Sequence, residues 1–265
     1  MSAAPVTAII TNYRCEPWLA RAIDSVLAQT YPPARLIVVD DAGDAAAFDA
    51  IRQRYSAQSI HWMRSSRNAG QFRIYNLLLP AIETEFVAFQ DADDFSLPLR
   101  LATQLAQARR CNLDITGTHV QTETLDGQLV DLLQTPEDVN RTLRWRCRGR
   151  VIFGATTLCR TDFLRRLGGF DGAARFGADT ELIYRAVFLG AVGNVPQPLY
   201  HACLRPGSLM RSPETGMGSP ARTAYRRRIR SQFYRRRCLS LIGRLHPQDL
   251  RPRPNDMDFT LERIG

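Results

Sequence analysis

Residues 6–41 read VTAIITNYRCEPWLARAIDSVLAQTYPPARLIVVDD, and the fold is decided in this stretch. VTAIIT (6–11) is an unbroken apolar run, too short for a helix, as expected of a strand buried on both faces. Residues 18–29 follow with Leu19, Ile23, Val26 and Leu27 at helical spacing. LIVV (36–39) is a second buried strand, and it stops at Asp40-Asp41. Strand, helix and strand in a unit of about thirty residues predict parallel strands joined by a crossover helix.

The pattern continues outward. A helix is expected over 45–55, a strand over 60–63, a helix over 71–82 despite Pro80, and a strand over 85–90 (EFVAFQ). That strand runs into Asp91-Ala92-Asp93-Asp94, and Pro98, as a first-turn proline, opens a helix reaching residue 110. The class is therefore α/β, with a mostly parallel sheet covered by helices on both faces. The second half reads differently. Residues 114–130 suggest a hairpin turning at Asp126-Gly127, 151–159 form another apolar segment, and Gly168-Gly169-Phe170-Asp171 make a turn. A helix over 178–189 opens with an acidic first turn, which suits the positive end of its dipole. Pro196, Pro198, Pro206, Gly207, Pro213, Gly216, Gly218 and Pro220 mark a long loop before a basic helix over 221–245. The polar, proline-rich tail from His246 is expected to be weakly ordered. No repeat or linker divides the chain, so 1–220 reads as one domain, with halves at 1–110 and 111–220, followed by the helix and tail over 221–265.

At 265 residues and 45% hydrophobic, the chain can bury one good core. The net charge is +9, and all 35 basic residues are arginine. The surplus favours phosphates and other polyanions as partners. Cys15, Cys111, Cys147, Cys159, Cys203 and Cys238 are scattered without a metal-binding spacing and read as reduced thiols of a cytoplasmic protein. The first residues lack the pattern of a secretory leader, and no apolar run approaches the ~20 residues of a membrane span.

In open α/β sheets ligands bind at the carboxyl ends of the strands, near the point where strand order reverses. Two such ends carry carboxylates here, at Asp40-Asp41 and at Asp91-Ala92-Asp93-Asp94. Crowded carboxylates repel one another, and a divalent cation offsets this while leaving coordination sites for phosphate oxygens. An Asp-x-Asp triplet alone is common on loops; its place after a buried strand is what points to Mg²⁺ or Mn²⁺.

VTAIITNYRCEPWLARAIDSVLAQTYPPARLIVVDDAG (6–43), NAGQFRIYN (68–76) and EFVAFQDADDFSLPLRL (85–101) together resemble the family 2 glycosyltransferases of the GT-A fold, the inverting bacterial polysaccharide type. The likeness continues more loosely through GGFDGAARFGADTELIYRAVFLG (168–190) and VPQPLYHACLRPGS (195–208). It implies a smaller mixed sheet on the acceptor side and a metal-dependent transfer of sugar from a nucleotide diphosphate, with UDP as the nucleotide, to a saccharide or lipid-linked acceptor. By the same resemblance Thr11, Asn12 and Tyr13 would line the base pocket, Tyr13 against the ring, and Asp40 would accept from the base. Asn68 and Arg73 would meet the base or pyrophosphate. Asp91 and Ala92 would flank the ribose and metal shell, Asp91 and Asp93 would hold the metal, and Asp179 would be the general base.

Several positions depart from that family's pattern. Asn12 and Arg14 replace the usual Thr, Ser or Ala and Asn. Ala178-Asp179 keeps a single carboxylate where relatives have an acidic pair, which leaves Glu181 as a rival base. Arg205-Pro206-Gly207-Ser208 replaces His-Pro-Gly-Ser; an arginine cannot ligate a metal but pairs well with phosphate. The third metal ligand stays open, and nearby His201 reads as structural. Asp40 is assigned to the ligand rather than to capping the next turn, because Asp41 and Gly43 suit that turn. The basic helix, with Tyr225, Ile229, Phe233, Tyr234, Leu239 and Ile242 among its arginines, reads as a face for anionic lipid at the inner side of the cell membrane rather than for nucleic acid. A nucleotidyltransferase would carry a glycine-rich basic loop after its first strand, a nicotinamide enzyme G-x-G-x-x-G; residues 11–18 have neither. A nucleotide-sugar or glycan-binding module without catalysis is the non-enzyme alternative.

Overall fold

The computed structural model describes residues 6–145, 150–205, 207–208, 212–216, 218–253 and 258–265; Cys147 and Pro206 lie outside them. The first half alternates as predicted: β1 (Val6–Asn12), α1 (Glu16–Leu27), β2 (Arg35–Asp40), α2 (Ala45–Arg54), β3 (Ile60–Ser65), α3 (Gln71–Leu78) and β4 (Phe86–Asp91). Pro80 lies in a 3-10 turn, Leu79–Ala81, that ends α3. Next come β5 (Phe95–Ser96), α4 (Arg100–Arg110), β6 (Ile115–Thr124), β7 (Leu129–Leu133), α5 (Val139–Trp145), β8 (Leu158–Arg160), α6 (Thr161–Leu167), α7 (Ala178–Ala186), β9 (Val192–Leu204), α8 (Pro220–Leu241) and β10 (Leu261–Arg263).

Among the described residues one sheet runs in the order β10-β3-β2-β1-β4-β8-β6-β9-β5, with β7 paired to β6. β1, β2, β3 and β4 are mutually parallel. The chain steps outward from β1 to β3 and then returns to lay β4 on the other side of β1, so strand order reverses between β1 and β4. Alternation along the strands feeds both faces, which is why they read as continuous apolar runs. Ile9, Ile37, Val39, Val87 and Phe89 join the core cluster shared with α3, α6, α7 and α8. Ala8, Ile10, Leu36 and Val38 pack beneath α1 and α2, and Val6, Phe86 and Ala88 beneath α4.

Four expectations change. Pro98 precedes its helix instead of opening it, since Leu99 is the N-cap and the helix begins at Arg100. Residues 196–204, read as the start of a loop because of Pro196 and Pro198, belong to β9, which is parallel to β6. Its register jumps from Thr118↔Val195 to His119↔Pro198, so Pro196 falls in a bulge where no ladder hydrogen bond is required. The tail is not left apart: β10 pairs antiparallel with β3 and closes that edge. In α8, Ile229 and Phe233 face inward to the core rather than outward. Buried Arg185 explains part of that docking. It donates to both Glu181 oxygens (3.0 and 2.8 Å) and to the carbonyls of Leu167, Gly169 and Leu250, while Arg236 from α8 reaches Glu181 at 3.5 Å.

Candidate active site

Register fixes the site before any side chain is considered. Asn12 lies opposite Asp40 on β2, and Thr11 opposite Asp91 on β4, so the ends of these three strands are level at the point of reversal. Beyond them the chain turns sharply through left-handed backbone at Arg14 (φ 55°) and Ala42 (φ 58°). For residues with a Cβ this conformation costs about 1–2 kcal/mol each, a strain concentrated at the mouth of the crevice. Tyr13, 39% exposed, stands at that mouth with the Arg14 guanidinium 5.2 Å from its ring centre. Thr11 Oγ1 lies 3.5 Å from the Tyr75 hydroxyl. Asn12 is buried and donates to Glu16 Oε1 at 2.9 Å; its own Oδ1 meets no donor among the described residues.

Asp40 ends β2 and Asp41 follows it, and each holds a different neighbouring turn. Asp40, fully buried, does cap the turn: Oδ1 accepts from Gly43 N–H at 2.8 Å and Oδ2 from Arg64 Nε at 3.0 Å. Asp41 instead builds the neighbouring wall, accepting from the N–H groups of Ala69 (2.7 Å) and Gly70 (2.8 Å) and from Asn68 Nδ2 (3.2 Å). Gly70 adopts φ 86°, open to glycine at little cost. Burial is the main reason that the Asp41 carboxyl is pushed up to about 6, despite those two N–H groups. The sequence reading gives Asp41 to the next turn with Gly43, whereas its partners are in the Asn-Ala-Gly turn at 68–70. Arg73 is directed elsewhere: its Nε donates to the Gly172 carbonyl at 2.9 Å, and Asp258 lies 3.7 Å away. Asn68 Oδ1 accepts from Arg175 at 3.1 Å.

At the end of β4, carboxylate oxygens of Asp91, Asp93 and Asp94 fall within 4.8 Å of one another. Asp94 is turned inward, accepting from Cys203 N–H at 2.8 Å and from the Tyr200 hydroxyl, which itself accepts from Asp91 N–H and Gln90 Nε2 at 3.2 Å. Asp91 and Asp93 are half-buried and face the crevice, with buried Ala92 between them. Burial, then Asp93, then Asp179 raise Asp91 to about 7, and burial followed by Asp93 and Asp91 drives Asp94 well above the carboxylate range. A hard divalent cation fits this donor set, because it would replace three-way repulsion by attraction to oxygen ligands. Arg205 stands beside it, with Nε 2.5 Å from Asp93 Oδ2.

The loop carrying these aspartates is held from behind by buried Arg100, which donates to Gln90 Oε1 (3.1 Å), Ser96 Oγ (2.8 Å) and the Phe89 carbonyl (2.8 Å). It was also missed; the only cue is the arginine that ends LPLR (97–100). Asp179 sits in the first turn of α7 after Gly177 (φ 75°), and a Cβ on Gly154 would come 2.6 Å from Asp179 Cβ, so that glycine keeps its place open. Burial raises the Asp179 carboxyl, while the N–H groups of Thr180 and Gly154 and the charge of Arg222 oppose the rise. Its rival Glu181 is committed to Arg185. His201 Nδ1 lies 3.0 Å from Glu123 and its ring packs on Phe95, in keeping with a structural part.

This arrangement agrees with a direct match: the family model for "Glycosyl transferase family 2" covers residues 7–167. The chain belongs to glycosyl transferase family 2. Relatives of this family 2 chain include the uncharacterized glycosyltransferase alr2836 of Nostoc sp., 32% identical over 46% of the chain and 38% of that protein. Another is the O-antigen biosynthesis glycosyltransferase WbnJ of Escherichia coli, 25% identical over 53% of the chain and 57% of that protein. The matches thus span roughly two-fifths to three-fifths of the curated relatives' lengths. The crystal structure of S. aureus TarS 1–349 in complex with UDP-GlcNAc superposes with a TM-score of 0.62 at 20% identity, covering 89% of this chain and 72% of that one, and shares its fold. Asp179 and Arg205 lie beyond the family-model match.

Proposed function

We propose that this family 2 chain transfers a sugar from a UDP-sugar to an acceptor hydroxyl, with inversion at the anomeric carbon and with Mn²⁺ or Mg²⁺ bound, in the synthesis of a cell-surface polysaccharide or glycolipid. The observation that carries the proposal is the convergence of Asp91, Asp93 and Asp94 at the strand-order reversal, level with Thr11 and Asn12 and beside exposed Tyr13. The names of two similar proteins favour the donor and setting: WbnJ is an O-antigen biosynthesis glycosyltransferase, and TarS was crystallised with UDP-GlcNAc.

Tyr13 takes the base on its ring, and Asp40 retains acceptor positions beyond those used by Gly43 and Arg64 for an N–H of the base. Asn68 holds the turn facing it, and Arg73 acts on the donor side through the 172 loop that it anchors. Asp93 and Asp91 would hold the cation, which when bound supplies positive charge to the leaving diphosphate. Asp179 removes the acceptor hydroxyl's proton as that oxygen attacks the anomeric carbon and the bond to the diphosphate breaks; a carboxyl raised by burial suits a base of this kind. One displacement without an enzyme nucleophile inverts the configuration.

No described helix is long and apolar enough to cross a membrane. With Ile229 and Phe233 turned inward, the lipid-facing part of α8 reduces to Arg227, Arg230, Tyr234 and Leu241, which recur at helical spacing on the opposite, exposed side. That stripe suits an anionic bilayer holding a lipid-linked acceptor. The activity is tested by following UDP release from a panel of UDP-sugars with and without Mn²⁺. Metal-dependent release from one donor is expected, whereas binding without any turnover would identify a binding module.

A further inference from the structure

Arg205 occupies an unusual position for a cation. It directly follows β9 and reaches across to the start of α1, where its guanidinium lies 4.9 Å from the Trp18 ring centre and its Nη2 donates to Cys15 Sγ at 2.9 Å. Its Nε meets Asp93 Oδ2 at 2.5 Å, with the two side chains only 14% and 18% exposed. Cys15 is a neutral acceptor here, its thiol pushed up to about 12 chiefly by burial. Asp93 is open to the crevice, whereas Asp94 is buried and already bound by Cys203 N–H and Tyr200. A guanidinium and a metal ion cannot use the same lone pairs of Asp93 together.

We propose that Arg205 is an exchangeable counter-ion: in the donor-free protein it neutralises Asp93, and on donor binding it yields that carboxylate to the divalent cation and donates to the diphosphate. The inference rests on the assignment of a nucleotide-diphosphate site and adds a coupling between its two ligands. The rigid planar fork, already oriented by Trp18, has five N–H donors and matches phosphate oxygens as well as carboxylate. Because the guanidinium competes with the cation but assists the nucleotide, Mn²⁺ binds weakly alone and more tightly once UDP has drawn Arg205 away. By reciprocity Mn²⁺ strengthens UDP binding by the same factor.

Removing the guanidinium must therefore move the two affinities in opposite directions, which a residue of purely structural importance would not do. Free Mn²⁺ is read from its EPR signal and UDP binding by calorimetry, in wild type, R205Q and R205K, with thermal melts of each. In R205Q, Mn²⁺ alone should bind about fivefold tighter, equivalent to about 1 kcal/mol no longer spent on displacing the guanidinium. UDP should bind about tenfold or more weaker, the scale of a charge-assisted hydrogen bond. R205K, a point charge without the fork, should fall between, and it carries the test if R205Q does not fold. Unchanged Mn²⁺ affinity, or weakening of both ligands in a variant that melts like wild type, overturns the proposal. Wild-type protein that binds no UDP under any metal condition would instead defeat the assignment of the donor site itself.

Discussion

Asp93 and Asp179 both act on the Asp91 carboxyl, and the proposed function gives them separate tasks. Asp93 belongs to a mutually repelling acidic group beside a guanidinium, whereas Asp179 begins a helix and is raised by burial. D93A is expected to lose both transfer and metal-dependent donor binding. D179N should lose transfer by a factor of about 10² or more, in the range of a positioned general base, while still binding UDP; normal turnover by D179N would rule out Asp179. Asp91 adds a pH dependence. Its carboxyl is raised to about 7, so below that pH the metal-free site holds a proton that the cation must displace. Mn²⁺ affinity should accordingly climb by up to about tenfold per pH unit below 7 and level off above it. A flat titration between pH 6 and 8 would show that Asp91 is not a ligand.

Among the elements, α7 presents Asp179 to the crevice and Glu181 to the protein interior. Glu181 and Arg185 form a buried pair that also receives Arg236 of α8. E181Q leaves Arg185 charged and uncompensated in the interior, for which a loss of about 3–5 kcal/mol is expected, measured by denaturant unfolding. Transfer per folded molecule should persist, and its abolition would return Glu181 to candidacy as the base. What the sequence made legible follows the same division. Residues 6–91 were read almost element by element, because buried parallel strands and amphipathic helices leave unmistakable periods, and the acidic strand ends stood out by contrast. Residues 196–204 read as a loop because Pro196 and Pro198 signal one locally, and only the pairing with β6 shows that a bulge accommodates them. Arg100, the wall that Asp41 builds with residues 68–70 and the inward course of α8 are not legible for a like reason: each depends on partners distant in the chain.

For the whole molecule, the surplus of positive charge is unevenly used. Arg64, Arg185, Arg228, Arg236 and Arg253 are tied to carboxylates, Arg228 and Arg253 converging on buried Asp171 to fasten α8 and the tail to the 171 loop. Arg227 and Arg230 lie on the exposed side with Leu241. Replacing Arg227, Arg230 and Arg237 by Gln should release the protein from anionic vesicles in sedimentation, with about 1 kcal/mol lost per residue and little change in melting temperature; undiminished binding would remove α8 from the membrane contact. On the proposed reading, the crevice binds a nucleotide-sugar and the outer face of α8 meets the surface that holds the acceptor. The central claim of that reading is that carboxylates from the end of β4 hold a divalent cation against a nucleotide diphosphate. Anomalous scattering from a crystal grown with UDP and Mn²⁺ tests it most directly: the account predicts an ion about 2 Å from an Asp93 oxygen and in contact with the diphosphate, and UDP bound with no ion near Asp93 would contradict it.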